Sequence, residues 1–203
     1  MKICIITYGS RGDAQPLIAL TLGFVLGARS RGVRLMTGTR VVGIERTAGR
    51  VSAVATSAGR IITDLVVNAA GARAAEIGAL VDLEVPVRPR RGQIIVTAAG
   101  PPLVTCCLLS AQYIAAKYDP DLAKRGGEGV SIEQTESGNL LLGSTREFVG
   151  FDKRTTPAGL RRIAAGTTRI IPALTSLPVI RSFAGLRPYT PDGLPILGPV
   201  DGV

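Results

Sequence analysis

The stretch "DLVVNAAG", residues 64–71, most narrows the folds open to this chain. Its apolar positions do not alternate with polar ones, so a strand built from it has no water-facing side. Such a strand needs cover on both faces, as in a parallel sheet flanked by helices. It runs into Gly71. A second short, β-branched run, "KICIITY" at residues 2–8, is a candidate neighbour in that sheet.

Between these two runs the sequence predicts a helix, "PLIALTLGFVLGARSRG", with Pro16 at its first position and Gly32 as its stop. Three β segments follow: "RVVGIER", "RVSAVATS" and "RIITDLVVNAAG". Their links, "TAGR" and "AGR", are short enough for an antiparallel meander. A short helix is expected over residues 72–80. Near Leu83 the style changes, and "VPVRPRRGQIIVT", "GVSIEQT" and "NLLLGSTREF" read as a second, antiparallel sheet. Thr156 and Pro157 cap and open a helix to about residue 171, with Leu160, Ile163, Ala164, Thr167, Ile170 and Ile171 along one face and Pro172 as its end. "VIRSFAGL" is the final strand, leading into a loop rich in proline and glycine. The fold class is therefore α/β and α+β.

Composition excludes several chemistries. None of the 203 residues is a histidine, so no Ser-His-Asp triad, Cys-His pair or His-ligated zinc site can form, and no metal site is expected. The net charge is +9, but the arginines are dispersed and aromatics make up 4%, which argues against nucleic-acid binding and for an anionic ligand. Cys4, Cys106 and Cys107 make no spaced disulfide framework; they read as small apolar residues in strands of a cytoplasmic protein. Residues 94–116 carry no charge, but Gly100, Pro101 and Pro102 interrupt them. Two buried strands around a turn are expected there, and no membrane span.

The stretch "SFAGLRPYTPDGLPILGPV" gathers Gly185, Gly193, Gly198 and four prolines around one cation, Arg187. With "RGVRLMTGTRVVGIER", "DLVVNAAGARA", "VPVRPRRGQIIVT" and "ESGNLLLGSTREFVGFD", it resembles, in the same order, the FAD-dependent oxidoreductases of the D-amino-acid-oxidase superfamily, of the glycine oxidase and sarcosine oxidase beta-subunit type. The resemblance implies FAD as cofactor and a small amino acid as substrate. Hetero-oligomeric redox subunits are possible partners. It implies an incomplete FAD-binding Rossmann-like domain over residues 1–82, an antiparallel-sheet substrate domain over 83–183 and a return segment over 184–203.

Residue by residue, the family's adenine contact falls on the backbone of Val41, which alone would equally be an ordinary strand valine. Cofactor approach falls on Ala70, Gly71 and Gly185. The substrate carboxylate falls to Arg187, since a guanidinium makes two parallel hydrogen bonds to a carboxylate and stays charged. Alone, Arg187 would also read as a surface arginine of a loop. Tyr113 and Tyr118 could add a hydroxyl, or be rim residues. No acid or base catalyst is identified, and hydride transfer to a flavin requires none from histidine.

The family's opening G-x-G-x-x-G turn is absent; "YGSRGDAQP" stands there instead. Residues 1–19 resemble the start of sterol-type UDP-sugar glycosyltransferases. A chain truncated at both ends, with a foreign start, is the expectation. Three functions follow: a flavin-dependent amino-acid oxidase or dehydrogenase, a non-catalytic fragment, or a glycosyltransferase fragment.

Overall fold

The computed structural model describes residues 3–7, 18–115 and 129–200. Tyr118 and the loop "YGSRGDAQP" lie outside the described residues. The chain divides into two compact units, one of residues 1–89 with 188–203 and one of residues 90–187.

In the first unit, β1 (Ile3–Thr7) pairs parallel with β5 (Leu65–Ala69), from Ile3 opposite Leu65 to Thr7 opposite Ala69. The runs at residues 2–8 and 64–71 thus meet as the sequence implied. The expected burial does not follow. Leu65 and Val67 are exposed, because this sheet has two strands among the described residues. Helix α1 (Ile18–Ser30) ends where Gly32 turns to a φ of 82°, and the Gly32 and Val33 amides donate back to Arg29 and Ala28.

Strands β2 (Val41–Thr47), β3 (Arg50–Thr56) and β4 (Gly59–Ile62) form the meander. Ala48 and Gly49 join the first two with φ of 52° and 74°, the double left-handed turn that matches strand twist. Ala53 and Val54 on its central strand are fully buried. After β5 comes a single 3-10 turn and α2 (Ala74–Ala79).

The second unit is built on a five-stranded sheet. In chain order its strands are β6 (Arg88–Ala99), β7 (Leu108–Leu109), β8 (Ser131–Gln134), β9 (Asn139–Gly143) and β10 (Val179–Tyr189). In space the order is β10-β6-β9-β8-β7. Ile95, Leu142 and Ile132 stand opposite one another across three strands, and all three are buried. This row sets the register, since a one-residue slip would turn it to the other face. Helix α4 (Pro157–Ile170), numbered after the short α3 (Ala111–Ala115), lays Ile163 over that row, with Leu140 and Leu174 completing the core. At about 25 cal/mol per Å² of apolar surface, each such side chain contributes roughly 1.5–3 kcal/mol when fully buried.

Four expectations need correction here. Residues 94–116 hold one long strand and a two-residue one, since Gly100 to Pro102 break the first and α3 follows the second. Cys106 and Cys107 are exposed at the bend before β7, not packed in a strand. Ile170 is exposed, because the helix ends there and Pro172 opens a 3-10 turn. Arg187 stands on β10 rather than in the loop: β10 is the sheet's edge strand, so Pro188, which has no N–H, does not interrupt it.

Candidate functional site

The second unit gathers polar chemistry around residues 144–147, which follow β9 and end in a bridge between Glu147 and Arg91. Partners alternate along this segment. Ser144 accepts a hydrogen bond from Arg187 Nη1 at 3.2 Å, and Arg146 Nη2 donates to the Tyr113 carbonyl at 3.0 Å. Thr145 and Glu147 serve other partners. Thr145 Oγ1 accepts from the Gln93 amide at 3.0 Å and donates to Glu147 Oε2 at 2.8 Å. Glu147 also accepts from Gln93 Nε2 at 2.7 Å and from Arg91 Nε at 3.1 Å.

The lock formed by the odd-numbered residues is buried and dense. Arg91 is 4% exposed, and its Nη1 reaches Asp152 Oδ2 at 3.2 Å and the Arg154 carbonyl at 2.9 Å. Gln93 Oε1 accepts from the Thr156 amide at 2.7 Å, which ties β6 to the cap of α4. Burial acts to raise the Glu147 carboxyl, but Arg91, Gln93 and Thr145 outweigh it and hold it below the ordinary value. Asp152 is held at about 2, first by its hydrogen bonds with Arg154 and then by the charges of Arg154 and Arg91. These charges are satisfied, so the lock is structural.

The cluster formed by the even-numbered residues is different. Tyr113 sits on α3, not at a strand end, and is half-buried. The Arg146 guanidinium lies 4.1 Å from the centre of its ring. Burial alone would raise the Tyr113 phenol, yet Arg187, Arg146 and Ser144 bring it below its ordinary value of 10.0. Gly129 seats this tyrosine: with φ of 61°, a Cβ there would strike the Tyr113 amide and the Ser110 hydroxyl. Gly92 lies beside Arg187, and a Cβ there would press on the Thr145 carbonyl at 3.3 Å. Two of the residues singled out by sequence, Arg187 and Tyr113, thus meet in one cluster with Ser144, which is 3% exposed. Gly185, buried, lies two residues before Arg187 on the same strand. Such an arrangement can hold an anion: it offers fixed positive charge and two hydroxyl groups in a partly dry setting.

Ser144 and Arg146 were not identified as site residues from sequence. Nothing in "GSTREF" singles them out, since Ser144, Thr145, Arg146 and Glu147 are all polar.

Val41, Ala70 and Gly71 belong to the first unit. Val41 opens β2 opposite Thr56, with a register shift before Gly43. Ala70 is buried beyond β5, and Gly71 has φ of 56° with nothing within 4 Å of where a Cβ would be. Strands β1 and β5 end side by side there, the place where a dinucleotide lies against a parallel sheet. At Gly71 the backbone is open on the side where a Cβ would stand. Among the described residues no helix is long and apolar enough to cross a membrane, and no cluster of metal-ligating side chains occurs.

Residues 8–203 match the protein family described as FAD dependent oxidoreductase. The match begins at Tyr8, so most of the segment that resembled a glycosyltransferase lies inside this span, and that likeness is unsupported. The chain is 38% identical over 186 residues to the hydrogen cyanide synthase subunit HcnC of Pseudomonas protegens, covering 91% of this chain and 40% of that protein. It is 32% identical over 171 residues to the glycine oxidase of Pseudomonas putida, covering 84% and 42%. The L-proline dehydrogenase of P. horikoshii superposes with a TM-score of 0.78 at 28% identity, covering 91% of this chain and 47% of that one. The chain therefore spans about two fifths of the length of these curated relatives.

Proposed function

The chain belongs to the family of FAD-dependent oxidoreductases, and from that premise we propose that it serves in oxidising the C–N bond of a small amino acid, of the glycine, sarcosine, D-amino-acid or opine type. The observation that carries this reading is the meeting of Arg187, Ser144 and Tyr113 in one cluster. The relatives named glycine oxidase and L-proline dehydrogenase support an amino-acid substrate.

In this reading the substrate carboxylate lies on Arg187, whose planar fork fixes two oxygens at once. Ser144 holds the guanidinium in place from the side. The Tyr113 hydroxyl donates a third hydrogen bond. FAD, when bound, would supply the hydride acceptor for the carbon that bears the amine. The Val41 backbone would meet the adenine, and Ala70, Gly71 and Gly185 would serve close approach to the cofactor. The chain's task is orientation and charge, as is usual when the cofactor carries the reaction.

For partners, this reading takes redox subunits of a hetero-oligomer, since the relative from P. protegens is by name a synthase subunit. A cytoplasmic setting rests on the free Cys106 and Cys107.

The test is anaerobic reduction of FAD by amino acids in the presence of the full chain, with Arg187→Ala beside it. Hydrogen bonds to a charged group are worth about 1.5–3 kcal/mol, so the variant should lose roughly 10- to 100-fold toward glycine or sarcosine. Methylamine, which has no carboxylate, should be unaffected. Equal loss for both kinds of amine would remove Arg187 from the role.

A further inference from the structure

Arg146 has more donors than its surroundings use. Its Nη2 donates to the Tyr113 carbonyl, while Nε and Nη1 are buried and have no hydrogen-bond partner among the described residues. Buried donors on a charged group are seldom left open, because their desolvation is uncompensated. The carboxylate that follows it in sequence is not available. Glu147 is committed to Arg91, Gln93 and Thr145, with Arg162 at 3.5 Å. Arg146 and Arg187 share Tyr113, which feels both positive charges. One seat for a carboxylate thus has a second cationic seat beside it, already desolvated and with donors unspent.

We infer that Arg146 is a specificity residue that receives a second anionic group, and that the preferred ligand is a small amine bearing two carboxylates. This rests on the reading of Arg187 as the first carboxylate seat. A monocarboxylate such as glycine would engage Arg187 and leave Nε and Nη1 of Arg146 unpaired. A dicarboxylate would pair them, exchanging a buried deficit for charge-assisted hydrogen bonds. The Tyr113 ring, stacked on the guanidinium, fixes the plane in which the second carboxylate is received.

The experiment is equilibrium binding to the full chain supplied with FAD, by calorimetry at low salt. The probes are iminodiacetate and D- and L-aspartate against glycine and sarcosine. At least one dicarboxylate is expected to bind about tenfold or more tightly than the monocarboxylates. Its advantage should shrink as salt rises. Arg146→Gln should abolish the dicarboxylates' advantage, so that the two classes bind alike. Arg146→Lys, which keeps the charge, should retain part of the preference, and Arg187→Gln should weaken both classes. Dicarboxylates that bind no tighter than glycine to the unaltered chain overturn this inference alone, whatever the variants do. Failure of every carboxylate to bind overturns the Arg187 reading together with it.

Discussion

Replacing Arg91 by methionine tests whether the buried lock behind the site holds the second unit together. The substitution keeps an unbranched side chain in a position only 4% exposed, and removes three interactions: to Glu147 at 3.1 Å, to Asp152 at 3.2 Å and to the Arg154 carbonyl at 2.9 Å. Removing one member of a fully buried ion pair costs about 3–5 kcal/mol. Here the two carboxylates are 19% and 29% exposed, so water can replace part of what is lost. Glu147 also keeps its bonds from Gln93 and Thr145. A loss of about 2–3 kcal/mol at neutral pH follows, or about 5–10 °C in Tm for a chain of this size. The chain has no tryptophan, so the assay is denaturant unfolding followed by far-UV circular dichroism.

The pH dependence of that loss has a defined sign. The folded Glu147 carboxyl lies below its ordinary value of 4.5. Its contribution is therefore fully present above pH 4.5 and disappears as pH falls through the depressed folded value. The gap between wild type and Arg91→Met should be full at neutral pH and close in acid. Adding Glu147→Gln to Arg91→Met should cost less than the sum of the two single changes, because the uncompensated carboxylate is then gone. A gap of under about 0.5 kcal/mol at neutral pH, typical of a plain surface change, would refute the argument. So would a gap that stays the same in acid.

Two further predictions concern the site and its support. Spectrophotometric titration should find one tyrosine ionising below 10, absent in Tyr113→Phe and moved upward in Arg187→Gln; because the folded state favours the phenolate, its stabilisation is present above the usual phenol value and fades as pH falls through the lowered one. Gly159→Ala places a methyl on the Gln93 amide, so about 1–3 kcal/mol of stability should be lost and the Thr156 amide should exchange its hydrogen faster; unchanged exchange would show that Gln93 is free to move aside.

Much of the second unit was legible because its cues are local. Thr156 does cap α4, accepting from the Gly159 amide at 3.2 Å with Pro157 next in line. Which side of β9 is buried was not legible, because Leu140, Leu141 and Leu142 are alike. The first unit was legible in its pairing but not in its exposure. "DLVVNAAG" reads as buried because burial belongs to the whole sheet, and the sheet holds only one partner strand among the described residues. At the site, Arg187 stood out in sequence for its constrained neighbours, yet its partner Ser144 lies 43 residues away and is brought close by β6 and β9. Arg146 carried no cue of its own. An arginine in "GSTREF" looks like any solvated cation until the fold buries two of its nitrogens.

The alternation along residues 144–147 separates two burdens that many binding sites load onto the same side chains. Ser144 and Arg146 meet Arg187 and Tyr113, the proposed binding side chains, while Thr145 and Glu147 meet the scaffold. Diversification within such a segment can rewrite the even positions and change what is recognised without loosening the sheet. Drift at the odd positions would be felt first as a protein that fails to accumulate.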